Sequence, residues 1–113
     1  MMRDVTLRGL RVFEAVASAS SFSRGAELMG MTQSAALELA RYNIRVNAIF
    51  PGIIDTPIND ALPAKMSETL IRTTPMRRMG EPIEIAKAVL FLVSPAASFA
   101  TGAELAIDGG MSI

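Results

Sequence analysis

The sequence predicts an α/β fold in which three N-terminal helices pack on a small parallel βαβ unit. Three observations predict it. Apolar residues recur at helical spacing as far as about Tyr42, then the period changes to alternation from Ile44 until Pro51-Gly52 stops the run. A broad helical apolar face follows, formed by Ile85, Ala86, Val89, Leu90, Leu92 and Val93. Beyond it lies a second short strand, and strand, helix, strand at this spacing makes a parallel crossover.

The elements follow in order. Thr6 is the candidate N-cap of a first helix, Leu7–Ser18, in which Leu7, Leu10, Phe13, Val16 and Ala17 share a face. The Ser-rich stretch Ser18–Ser23 breaks it. A second helix over Arg24–Met29 takes Ser23 as its cap, Phe22 as a hydrophobic staple and Gly30 as its stop. Thr32 caps a third helix through about Tyr42, and Asn43 suits the left-handed position that ends it. Ile44, Val46, Ala48 and Phe50 then alternate with Arg45, Asn47 and Ile49, a strand with one buried face. Pro57, Pro63, Pro75 and Gly80 interrupt residues 53–81, which predicts a long excursion with one short helix near Lys65–Thr73. Pro82 fits the first turn of the next helix, and Ser94-Pro95 closes it. Thr101-Gly102 turns the chain into the last strand, Glu104–Ile107, ended by Asp108-Gly109-Gly110. The expected organisation is a single compact domain over residues 1–113.

Composition narrows the function. A chain of 113 residues, 50% of them hydrophobic, buries one modest core. The net charge is +0, and residues 1–41, with five Arg against four acids, differ little from residues 42–113, with six basic against seven acidic. That is a poor electrostatic footprint for a nucleic-acid binder. The absence of Cys and His excludes disulfides, thiolate nucleophiles, imidazole bases and the usual zinc sites. Asp55, Asp60 and Glu68 are carboxylates scattered along one loop, so no metal is expected there. Arg77-Arg78 reads as a solvated turn rather than a phosphate clamp. The start MMRDV carries no signal-peptide pattern, and the longest apolar stretch, Ala88–Val93, is too short to span a bilayer. The expectation is therefore a cytoplasmic chain without a membrane partner.

Two resemblances divide the chain. The stretch SFSRGAELMGMTQSA resembles a LysR-type helix-turn-helix, over about residues 3–36. That resemblance implies a recognition helix whose first residues, Thr32, Gln33 and Ser34, meet base edges or phosphates in the major groove. The helix continues with Leu37, Glu38, Leu39 and Ala40, in which Glu38 opposes phosphate and the leucines add apolar surface. Residues 36–113 resemble the C-terminal third of a short-chain dehydrogenase/reductase, through RVNAIFPGIIDTPI and RRMGEPIEIAKAVLFLVSPAASFATGAELAIDGG. This second resemblance implies a remnant of a Rossmann-type fold. Pro51-Gly52 would end a strand beside a nicotinamide, the backbone of Ile54 would meet its carboxamide, and Thr56 would lie near the amide and phosphates. Residues 57–75 would be the flap over substrate. The family's Gly-rich phosphate loop has no counterpart, and its catalytic Tyr and Lys, four residues apart, are missing. The sole tyrosine, Tyr42, is followed four positions on by Val46.

These observations lead to the expectation of a chimera, a helix-turn-helix-like part (1–36) joined near Ala35-Ala36 to a dehydrogenase-like part (36–113). No catalytic residue, no cofactor and weak or no DNA binding are expected, with Pro51, Gly52, Ile54 and Thr56 as vestigial cofactor contacts. The alternatives are a fragment of a DNA-binding regulator and an NAD(P)-dependent oxidoreductase. A homodimer or higher homo-oligomer is expected, because strand Ile44–Phe50 would have one unprotected edge.

Overall fold

In a computed structural model of the chain, the described residues are 13–16 and 22–113, with side chains from residue 27 onward. Three strands form one parallel sheet in the order β1 (Phe13–Val16), β2 (Val46–Pro51) and β3 (Glu104–Ile107). Phe13 lies opposite Val46 and Val16 opposite Ile49, while Ala48 lies opposite Glu104 and Pro51 opposite Ile107. Between β1 and β2 runs α1 (Phe22–Leu39), followed by a 3-10 turn at Ala40–Tyr42. After β2 come α2 (Pro57–Asp60), α3 (Ala64–Thr73), α4 (Pro82–Val93) and a 3-10 turn at Pro95–Ala97. Among the described residues no helix is long and apolar enough to cross a membrane.

The C-terminal half follows its sequence pattern. Pro82 stands at the first helical position of α4 and Ser94 ends it, and the crossover from β2 to β3 is parallel as expected. Asn43 takes the left-handed conformation (φ 61°), and its N–H returns to the Ala40 carbonyl. The excursion holds α2 as well as the expected α3.

The N-terminal half departs from expectation in three ways. Phe13–Val16, expected inside a helix, is a strand, and the rest of the expected Leu7–Ser18 helix lies outside the described residues. Phe-Glu-Ala-Val is too short for periodicity to separate helix from strand, and pairing with β2 decides it. The two separate helices expected after the Ser-rich break are one continuous helix from Phe22, and residues 18–21 of that break lie outside the described residues. Gly30 does not stop that helix, because it lacks the positive φ of a C-terminal cap. Thr32 does not start one either. Its hydroxyl donates to the Leu28 carbonyl one turn back (2.8 Å), a bond made inside a helix, and its side chain is 4% exposed. Among the described residues there is no helix-turn-helix, and what is described of the expected three-helix cover is a strand and a helix.

The sheet's centre is β2, and Val46, Asn47, Ala48 and Ile49 are all buried. The single buried face expected from the alternation is thus two buried faces. Parallel strands are normally covered on both sides by their crossover helices. Here Ile49 packs with Leu92 and Ala97, joined by Ile85 and Val89 of α4. On the opposite side, where Val46 and Ala48 lie, α1 contacts β2 and buries Ala36. The edge of β2 expected to be open is occupied by β1. That pairing removes the unprotected edge from which a sheet-paired homodimer was expected.

Candidate functional site

Parallel strands deliver their C-terminal ends to one side of a sheet, and the loops that follow them meet there. At that end β2 closes on Pro51-Gly52 and β3 on Asp108-Gly109-Gly110. The Gly52 N–H donates to the Ile107 carbonyl (3.0 Å). A β-carbon on Gly52 would stand 2.7 Å from the Asp108 α-carbon, so this position admits only glycine without backbone movement. Asp108 organises the opposite turn. Its Oδ1 accepts the Gly110 N–H (2.9 Å) and its Oδ2 the Ser112 N–H (3.1 Å). The Ser112 hydroxyl, the largest influence, holds the Asp108 carboxyl below its usual range against desolvation, and these N–H groups add to it.

Beyond Gly52 the chain makes a one-residue parallel bridge between Ile54 and Gly80. The Gly80 N–H donates to the Ile53 carbonyl (2.9 Å) and the Asp55 N–H to the Gly80 carbonyl (2.8 Å). In an extended chain, the N–H and C=O of Ile54 itself must then point away from Gly80. The carbonyl accepts a hydrogen bond from the side-chain amide of Asn59, on α2. Thr56 is the N-cap of α2 by backbone geometry, yet its hydroxyl makes no capping bond. The far end of the excursion over residues 57–75 is also tied down. The Met76 N–H donates to the Gly109 carbonyl (3.1 Å), and Thr74 is buried beside Gly109.

Beside these segments lies an open groove of about 660 Å³ whose walls include Gly52, Ile54, Thr56, Ile58, Leu70 and Met111. A second cavity, lined by residues including Ile54, Arg78, Gly80 and Glu84, holds only about 40 Å³, too small for a ring. Of the residues singled out in the sequence, Pro51, Gly52, Ile54 and Thr56 all line the large groove. Thr32, Gln33 and Ser34 do not open a helix as the recognition-helix reading required. They lie well inside α1, where Thr32 is buried and the Gln33 amide donates to Glu104 at the start of β3 (3.1 Å). Arg78 is engaged too, in an ion pair with Glu84 (3.0 Å). Asn59, Gly80 and Asp108 escaped the sequence reading. The Asp-Gly-Gly ending was visible only as a turn, and nothing in the spacing of Asn59 or Gly80 tied either to Ile54.

A parallel sheet whose strand ends open onto a groove, with crossover helices on its faces, is a Rossmann-like α/β segment. Comparison with known proteins carries this further: the enoyl-(acyl carrier protein) reductase family matches over residues 7–112. The chain belongs to this family of short-chain dehydrogenases/reductases. It is 48% identical over 88 residues to the 3-oxoacyl-[acyl-carrier-protein] reductase FabG of Thermotoga maritima, covering 78% of this chain and 36% of that protein. It is 51% identical over 80 residues to a 3alpha-hydroxysteroid dehydrogenase of Mediterraneibacter gnavus, covering 71% and 32%. It is 46% identical over 99 residues to the galactitol 2-dehydrogenase (L-tagatose-forming) of Cereibacter sphaeroides, covering 86% and 39%. The chain thus spans about a third of the length of the curated relatives it matches.

These matches overturn the expected chimera of a DNA-binding fragment and an inactive remnant. The family match runs through Ala35-Ala36, where the join was placed, and α1 is continuous across it. The relatives are named as oxidoreductases, not as DNA-binding proteins. The expectation of no cofactor is likewise set against a family whose members use NAD(P).

Proposed function

We propose that this chain forms the nicotinamide end of the NAD(P) site of a short-chain dehydrogenase/reductase, together with the flap over its substrate. The observation that carries the reading is the convergence of Pro51, Gly52, Ile54 and Thr56 on one groove. Gly52 brings bare backbone to the wall, Ile54 turns its peptide edge away from Gly80, and Thr56 keeps its hydroxyl out of the helix cap. Such a wall fits a flat ring bearing a primary amide: a carboxamide offers an N–H donor and a C=O acceptor, matching a backbone C=O and N–H.

When bound, the nicotinamide supplies hydride transfer. The residues here bind and orient. Gly52 and Ile54 fix the ring's amide, Thr56 offers a hydroxyl to the amide or a phosphate oxygen, and α2 and α3 cover the groove. The proton that accompanies the hydride needs an acid/base pair of a different kind, a phenol with an ammonium four residues on. Tyr42 followed by Val46 does not supply it. The relatives act on an acyl-carrier substrate, a steroid and a polyol by their names, so what we carry over is the oxidoreductase class and not a substrate.

The test is an amide-resolved NMR titration of the 113-residue chain with millimolar nicotinamide mononucleotide, beside adenosine monophosphate. Shifts centred on Gly52–Thr56 with the nicotinamide compound, absent with the adenine compound and weakened by Thr56→Ala, are expected. Equal responses to both nucleotides, or none at Gly52–Thr56, would overturn the reading.

A further inference from the structure

The Ile54 carbonyl has a partner that resembles the proposed ligand. The bridge to Gly80 uses the Ile53 carbonyl and the Asp55 N–H, so both polar groups of Ile54 face away from it. On that side stands Asn59, half-buried on α2, with its side-chain amide donating to the Ile54 carbonyl. A nicotinamide carboxamide ends in the same chemical group, a planar CONH2 with two N–H donors and one carbonyl acceptor. Ile54 and Asn59 both line the groove, so the protein's own primary amide meets the atom that the cofactor's amide would use.

We infer that Asn59 is a positioning residue that stands in for the cofactor's carboxamide. With the groove empty it occupies the groove side of the Ile54 carbonyl and holds α2 down onto the loop. When the carboxamide arrives, its N–H replaces the Asn59 N–H and α2 is released. The flap's starting position is thereby linked to occupancy of the nicotinamide site. The device rests on the proposed role of Ile54, and it makes a demand that role alone does not. The exchange requires an N–H donor on the incoming group, because an acceptor cannot displace a donor.

The experiment compares NADH with its 3-acetylpyridine analogue, which has a methyl group in place of the NH2. Binding to the 113-residue chain and to Asn59→Ala is followed by the amide signals of Gly52–Thr56. Removing the internal competitor tightens NADH by about fivefold, the factor that one net hydrogen bond carries. The analogue's affinity stays within twofold of wild type by the same reasoning, at about a third of that effect or less. In wild-type protein the Asn59 side-chain amide signals move toward solvent-like positions with NADH and stay put with the analogue, a readout that needs no variant. If Asn59→Ala tightens both ligands equally, Asn59 is only a steric gate and the inference fails. It fails as well if the variant weakens both, which would make Asn59 a fixed support for the loop. If neither ligand perturbs Gly52–Thr56 in either protein, the cofactor reading falls, and this inference with it.

Discussion

At the scale of single residues, the buried amide of Asn47 does the most for the sheet. It is fully buried, donates to the Ala100 carbonyl (3.1 Å) and accepts the Ala103 N–H (3.0 Å), fastening β2 to the turn that precedes β3. Asn47→Leu leaves the half-buried Ala103 N–H without its acceptor, and a loss of about 1–3 kcal/mol is expected in urea unfolding. Asp108 sets a pH dependence. Its folded carboxyl titrates below the ordinary 3.8, so its contribution is complete above that value and is lost as pH falls through the lower folded pKa. The Gly110 and Ser112 amide signals should therefore titrate together below pH 3.8, and Asp108→Asn should abolish that step. Neither role was legible beforehand. Asn47 sits at an alternate position of a strand, which reads as solvent-facing until a second buried face is known. The cofactor-site residues Pro51, Gly52, Ile54 and Thr56 were legible because they are neighbours in sequence. Asn59 and Gly80 were not, since their meeting with Ile54 depends on how the flap returns.

At the scale of elements, the contrast lies between α4 and α1. The first is delimited by Pro82 and Ser94-Pro95, residues that act locally, and so its bounds could be read from the chain. The second contains Gly30, which by local preference marks a helix end, yet its packing on β2 through Thr32 and Ala36 keeps the helix continuous. Nothing lies within 4 Å of a β-carbon built on Gly30. Gly30→Ala should then raise stability by about 0.5–1 kcal/mol, through backbone entropy alone. A loss of stability in thermal unfolding would show that the helix breaks there. The strand β1 was hidden for a different reason. Four residues carry too little period to identify themselves, and their partners lie about thirty positions downstream.

At the scale of the whole molecule, one strand holds the layers together. Ile49 is fully buried between β2's neighbours and the α4 face that includes Leu92. Ile49→Ala opens a cavity in that layer and should cost about 2–5 kcal/mol. The pocket side of the sheet depends on the same strand, because Pro51 and Gly52 are its continuation. The variant should therefore also shift the Gly52–Thr56 amide signals, with no ligand present. A variant that loses stability with those signals unmoved would separate the core from the groove wall.

The register of β2 has a consequence in time. Its partners are Phe13–Val16 before it and Glu104–Ile107 after it, and both pairings are parallel. Neither can be closed by a tight turn, so each must draw together the ends of a long intervening segment before any ladder bond forms. Contacts of this range make for slow folding. During synthesis β2 emerges with only its β1 edge available, and its other edge waits until residue 107 has been made. Over that interval a largely apolar strand has an unfilled side and α4 has no complete sheet to lie on. The nascent chain is thus most exposed to aggregation between the appearance of Pro51 and that of Ile107, and assistance from a chaperone would matter most in that window.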